Sequence, residues 1–289
     1  MRSIAIFIIV MMSWVCCIAA EPELDAGGTA EVTTEGRYET LDSLFSLYQP
    51  YLSNIGPYKP IYFLLGADPE NSRFQISLKY QILGAQCPLS KSCEWMRWIY
   101  LGYTQTSLWD LKSDSAPFED TSYKPEVFFQ TQNVSLRPGW LDGLFYQAGV
   151  LHESNGRAGD ESRSTNYLYF SPSAIFYNEN NGVGLQVTPR FVYFFNNSDD
   201  SNPDIDKYRG NFELELKTGF ANGLVFGSIF NFASKDISTQ LDLTYPLSMG
   251  FFRNLEFYLQ AQYVNAYAET LLDYDEHNEA LRIGFAIVR

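Results

Sequence analysis

Residues 74–83 read FQISLKYQIL. In an extended chain Phe74, Ile76, Leu78, Tyr80 and Ile82 fall on one side, and Gln75, Ser77, Lys79 and Gln81 on the other. Alternation every second residue marks a β-strand, because successive side chains point to opposite faces. Residues 209–220, RGNFELELKTGF, repeat the pattern: Phe212, Leu214 and Leu216 oppose Asn211, Glu213, Glu215 and Lys217. A soluble β-sandwich also alternates, with its polar side in water. Here charges and amides recur in the middle of long segments. That suits a barrel whose narrow lumen pairs them with one another while the apolar face meets lipid.

Working outward, about twelve such segments run near 58–67, 74–84, 98–111, 124–134, 141–154, 164–176, 184–196, 207–220, 222–233, 237–246, 254–266 and 279–289. Several reach the roughly 9–11 residues of a tilted membrane strand, with an overhang. Aromatic residues make up 16% of the chain, with 22 Phe and 20 Tyr, a load that fits girdles at two membrane–water boundaries. The expected fold is all-β, a twelve-stranded antiparallel transmembrane β-barrel over residues 58–289. Short connectors such as 221–223 contrast with longer polar ones such as 196–206, as periplasmic turns contrast with external loops. The last segment ends in Arg289, not in the aromatic residue common at the end of such barrels.

Residues 1–20, MRSIAIFIIVMMSWVCCIAA, carry one charge before an apolar run and end in small residues, the pattern of a secretory signal. A retained anchor and a lipoprotein signal ending at Cys16 or Cys17 are the alternatives. Residues 21–57 show no barrel pattern and read as a loose extension. Beyond the signal no apolar run is long enough for a transmembrane helix. The formal net charge of −14 argues against nucleic acid as a partner. Cys87 and Cys93 could close a short disulfide turn in an oxidising compartment; metal ligation is the weaker option, since no further ligand lies nearby.

The chain has only two histidines. In residues 141–154, LDGLFYQAGVLHES, the face that holds Leu144, Tyr146, Ala148 and Val150 continues into His152 and Ser154. Those two lie roughly 6.6 Å apart along a strand, near enough for their side chains to meet. In the next segment Asn166 shares the outward face with Leu168 and Phe170. One reading is that polar residues merely mark the interfacial rim. The other is that three polar groups on a lipid-facing patch perform acyl transfer: histidine takes the serine proton and an amide fixes the imidazole. Gln105 lies among the outward residues of 99–111 and would seek a partner amide, unless the register turns it into the lumen. His277, in an acidic stretch, reads as a solvated loop residue. Asp199, Asp200, Asp204 and Asp206 read as a solvated loop or as oxygen ligands for a cation.

Four motifs resemble the outer-membrane phospholipase A family, calcium-dependent twelve-stranded barrels. HESNGRAGDESRSTN at 152–166 is similar to the family's H-x-S-N-G-R run followed by S-R-S-x-N. YTQTSLWDL with SAPFEDTSYKPE, NPDIDKY at 202–208 and AYAETLLDY at 266–274 extend the likeness over roughly residues 60–289. The resemblance implies Ser154 as nucleophile, His152 as general base, Asn166 as the orienting residue and the Gly156 N–H as an oxyanion donor. It implies a Ca²⁺ site in an active dimer, built from a carbonyl near Arg157, the hydroxyl of Ser162 and Ser115 of the partner subunit. Where the family has an aspartate after its glycine–arginine pair, this chain has Gly159 with Asp160 next to it. Asp200 is a further calcium candidate and Gln105 the dimer-seam residue.

The function expected is therefore an outer-membrane, calcium-dependent serine hydrolase of phospholipid acyl esters (phospholipase A1, A2 and lysophospholipase), active as a homodimer. The alternative is a passive outer-membrane pore or structural barrel. A barrel protease or palmitoyl transferase is a third reading, which the His152–Ser154 pair does not support.

Overall fold

The structure is a computed structural model describing residues 54–84, 87–196, 202–247 and 257–289. The expected signal, the expected extension up to residue 53, Asp199 and Asp200 lie outside the described residues, as does the start of the segment expected at 254–266. Thirteen described strands make one antiparallel sheet. They are β1 (Ile55–Pro57), β2 (Ile61–Gly66), β3 (Ser72–Gln81), β4 (Ile99–Trp109), β5 (Phe118–Gln130), β6 (Gly143–Ser154), β7 (Ser164–Asn178), β8 (Val183–Phe194), β9 (Phe212–Phe220), β10 (Val225–Phe232), β11 (Ile237–Pro246), β12 (Tyr258–Tyr267) and β13 (His277–Val288). β13 pairs with β2 and β3 pairs with β4, so the sheet closes on itself. β1 and β2 pair with successive stretches of β3 and share one place in the wall, giving a closed twelve-strand barrel. Closure leaves no edge of unpaired backbone groups, which hydrocarbon would not solvate.

β1 and β2 are separate because Pro57 and Pro60 cannot donate to the ladder. Between them Tyr58 and Lys59 engage lumen groups. The Tyr58 ring stacks on Phe128 at 4.7 Å, and Lys59 Nζ meets Glu126 Oε1 at 3.3 Å.

Burial follows the alternation read from sequence. In β6, Leu151 and Glu153 are 0% and 1% exposed, whereas Val150 is 45% exposed. In β7, Thr165 is 0% exposed and Leu168 45%. The outer wall is apolar, with aromatic clusters towards both ends. Phe63, Phe74 and Phe118 surround Trp109 at one end, while at the other Trp98 meets Phe129 edge-on and Trp140 stacks on Phe176.

The lumen is filled by paired charges. Glu269 takes Arg282 Nη1 at 2.6 Å and Arg73 Nη1 at 2.8 Å. Glu153 takes Arg209 Nη1 at 2.6 Å and Lys124 Nζ at 3.4 Å. Glu126 accepts the Tyr169 hydroxyl at 2.6 Å in addition to Lys59. Removing one partner of such a buried pair typically costs about 3–5 kcal/mol, so each is a strong constraint on the native register.

The structure corrects several expectations. β5 begins at Phe118, six residues before the segment expected at 124–134. The segment expected from 207 opens instead with α2 (Ile205–Arg209), stopped by Gly210 at φ +79°, which brings Arg209 over Glu153. Residues 55–57, expected in the loose extension, join the wall as β1. Connector length does not sort by barrel end. The β3–β4 connector, on the same end as 221–223, holds α1 (Pro88–Ser92), and the opposite end has the short turn 233–236. Cys87 and Cys93 cap the two ends of α1, roughly 9 Å apart at 1.5 Å rise per residue, too far for a disulfide. The Cys93 thiol is free and exposed. His277 opens β13 and faces Tyr267; its Nε2 meets Asn265 Oδ1 at 3.0 Å.

Candidate active site

β6 and β7 are neighbours, and their register sets His152 directly opposite Asn166 and Ser154 opposite Ser164. Leu151, Glu153 and Asn155 are buried on the lumen side, so His152 and Ser154 stand on the outer wall, as does Asn166 between buried Thr165 and Tyr167. His152 Nδ1 lies 2.8 Å from Asn166 Oδ1. The Asn166 amide nitrogen donates to the Asn196 carbonyl at 3.4 Å, which orients the amide with its oxygen towards the imidazole. An amide oxygen only accepts, so Nδ1 is the donor, and in the neutral imidazole Nε2 is the nitrogen with the lone pair. That is the tautomer a general base needs.

Residues 155–163 form the loop that follows Ser154. Gly156 has φ +70°, and a Cβ there would approach Tyr123 Cε2 to 2.9 Å. Both the left-handed backbone and the ring above it require glycine. Tyr123 is also the cross-strand partner of Ser154. Asn155, 5% exposed, pins the loop from inside: its Oδ1 accepts the Arg163 N–H at 3.0 Å and the Arg157 N–H at 3.3 Å, and its Nδ2 donates to the Glu161 carbonyl at 2.9 Å. Arg157 is held through its side chain by Glu161 Oε2 at 2.5 Å and by the Glu119 carbonyl. Asn155 and Tyr123 were not among the expected site residues. Their only sequence signal is adjacency to the central motif and an aromatic at an outward position of β5.

The Gln105 side chain is on the outer face of β4, flanked by buried, inward Thr104 and Thr106. The Tyr103 hydroxyl donates to its Oε1 at 3.1 Å, its Nε2 reaches Ser107 Oγ at 3.4 Å, and Ser107 lies 2.9 Å from Thr121. A polar strip thus crosses an otherwise apolar wall.

Among the described residues no cluster of three or more carboxylate, imidazole or thiol side chains is arranged for a metal. The oxygens expected to hold a cation are of another kind. Ser162 is exposed on the loop, beside the carbonyl-rich turn 159–162, and Ser115 lies in the β4–β5 turn at the same barrel end with φ +71°. Neutral hydroxyl and carbonyl oxygens suit Ca²⁺ more than a softer metal. The Asp160 carbonyl is occupied by Arg163 Nη1 at 2.7 Å. In the loop 268–276, burial together with the carboxylates of Glu276, Asp120 and Asp275 raises Asp273 above the usual aspartate range.

A closed barrel bearing a His–Asn pair beside a serine on its lipid-facing wall is the architecture of a membrane-embedded hydrolase. The chain belongs to the phospholipase A1 family, whose sequence model matches residues 53–287. It is 30% identical over 226 residues to phospholipase A1 of Escherichia coli K12, covering 75% of this chain and 70% of that one. It is 31% identical to phospholipase A1 of Salmonella typhimurium with the same coverage. Among solved structures, the E. coli outer membrane phospholipase A superimposes with TM-score 0.63 at 25% identity, covering 83% of this chain and 97% of that one. The outer membrane phospholipase of Salmonella typhi, a dimer with bound calcium, gives 0.62 at 26%, covering 81% and 92%. The protein is an outer-membrane phospholipase.

Proposed function

We propose that this phospholipase is a calcium-dependent serine hydrolase of phospholipid and lysophospholipid acyl esters, activated when two copies pair in the membrane. The observation that carries the reading is the 2.8 Å His152–Asn166 bond on the outer wall, beside Ser154. The Ser154 hydroxyl attacks the ester carbonyl while His152 Nε2 takes its proton. The imidazolium returns that proton to the leaving alcohol, and water then releases the acyl group from Ser154 by the same route. The N–H of Gly156 donates to the oxyanion, a contribution typically worth about 10²–10³ in rate. Ca²⁺, held by the Arg157 carbonyl, Ser162 and Ser115 of the partner subunit, would add positive charge at that oxygen; the exposed Ser162 hydroxyl beside the turn 159–162 supports this. Mounting the site on the outer wall lets lipid reach it without leaving the leaflet.

A pore reading fares worse because, among the described residues, ion pairs crowd the lumen and two cavities beside them, of ≈ 10 and ≈ 40 Å³, have room for water and little else. The test is fatty-acid release from detergent-dispersed phospholipid by purified protein. Ser154→Ala should abolish it without altering heat-modifiable gel migration, and EDTA should suppress the wild type until Ca²⁺ is restored. Full activity of Ser154→Ala removes Ser154 as nucleophile, and indifference to EDTA removes calcium.

A further inference from the structure

We propose that Asp120 is a positioning residue for this reaction, acting on the outer-wall site from the lumen side through Arg157. The inference rests on the reading of Ser154 and Gly156 given above.

Asp120 faces inward on β5 and is 3% exposed. Its Oδ2 accepts the N–H groups of Leu271 and Leu272, both at 3.1 Å. Leu271 is fully buried, so these bonds tie Asp120 to the seated β12–β13 loop. Its Oδ1 is buried with no hydrogen-bond partner among the described residues, and Arg157 Nε stands 3.8 Å away. An asparagine would serve the two leucine N–H groups as well, without burying a charge. A carboxylate there is costly unless its charge acts on something. The cation it faces is Arg157.

Arg157 follows the glycine whose N–H is the oxyanion donor. Glycine has little backbone preference of its own, so the Gly156 N–H, carried by the Asn155–Gly156 peptide, is only as well oriented as the residues fixed on either side make it. Asn155 fixes Arg157 at the main chain, and Asp120, Glu161 and the Glu119 carbonyl fix it at the guanidinium. Residue 157 is thereby held at both ends and Asn155 N–H is bonded to the Arg163 carbonyl, so Gly156 is fixed from both sides and its N–H and the Arg157 carbonyl are oriented before substrate arrives. Such pre-orientation is where oxyanion stabilisation gets its strength, and a displacement of about 1 Å can cost roughly 10²-fold.

The experiment is a double-mutant cycle on the full-length protein in detergent micelles with saturating Ca²⁺. Asp120→Asn should lower kcat roughly 10- to 100-fold with KM and thermal unfolding near wild type. Arg157→Gln should lower kcat similarly, and the double variant should be no worse than Arg157→Gln alone. Asp120→Glu should recover part of the loss. Wild-type kcat in Asp120→Asn, losses that multiply in the double variant, or a kcat loss matched by loss of the heat-modifiable fold would each overturn the proposal. If Asp120→Asn fails to fold, failure of Asp120→Glu to affect kcat while Arg157→Gln does would overturn it as well. Ser154→Ala is run alongside: an active Ser154→Ala removes the underlying reading, whereas an inert Ser154→Ala beside a fully active Asp120→Asn removes this inference alone.

Discussion

Gln105 and Ser154 lie on one transverse row of the outer wall, separated by a single residue, Tyr123, which pairs with both. At about 4.8 Å between strands their backbones are roughly 10 Å apart. The polar strip expected to join two copies therefore borders the proposed nucleophile, and on this reading association and catalysis share a wall.

Replacing Gln105 by Ala removes the central amide of that strip. Membrane-embedded amide contacts are worth about 0.6–2 kcal/mol. Dimer dissociation constants measured by sedimentation in micelles with Ca²⁺ should rise about 3- to 30-fold, with activity falling in step at limiting protein. Unchanged association would show that the seam lies elsewhere on the barrel.

Asn166→Ala leaves His152 without the acceptor that selects its tautomer. The expected result is at least a tenfold lower kcat at unaltered KM. The loss should stop short of the ~10⁴ that follows removal of a charged orienting group. A kcat equal to wild type would leave Asn166 as a rim residue only.

Asn155→Ala removes three hydrogen bonds that close the 155–163 loop. The barrel does not depend on them, so heat-modifiable migration should persist. Amide hydrogen exchange at Arg157 and Arg163 should accelerate, and activity should drop by more than tenfold. Protected amides in the variant would mean that the arginine contacts alone hold the loop.

Glu269 is buried, which alone would raise its pKa; Arg73 and Arg282 outweigh that and hold the carboxyl below its usual range. A depressed folded-state value contributes stability above the unfolded value, about 4.3, and that contribution is lost as pH falls through the folded value. The thermal midpoint of the wild type should therefore fall below about pH 4. Glu269→Gln should be less stable at neutral pH and show a flatter acid limb. An identical acid limb in both proteins would assign the acid sensitivity to other groups.

Much of the wall was legible in the chain because lipid and lumen impose opposite chemistry on neighbouring residues. FQISLKYQIL lies within β3 and its continuation, with Ile76 and Leu78 exposed and Ser77 buried, as its alternation demands. His152, Ser154 and Asn166 came from the same argument and do share a face. The start of β5 was missed because Glu119 and Thr121 occupy outward positions near the rim, where the apolar signal fades. Asp120 and Asn155 were invisible for a different reason. Their importance comes from which loop happens to fold over them, and alternation sees only the two faces of the strand they sit on. The disulfide expectation failed because the Pro88 that follows Cys87 starts a helical turn, which spaces the two thiols apart.

The strict inside–outside alternation of β6 also limits how this sequence can change over generations. Inserting or deleting one codon between Leu144 and His152 would turn Glu153 into hydrocarbon and Ser154 towards the ion pairs. Length variation in the strands can survive in steps of two, or as a bulge near a strand end like those at Glu119 and Ile287. Other single-residue insertions and deletions are left to connectors such as 233–236 and 179–182, and that is where lineages of this barrel should differ in length.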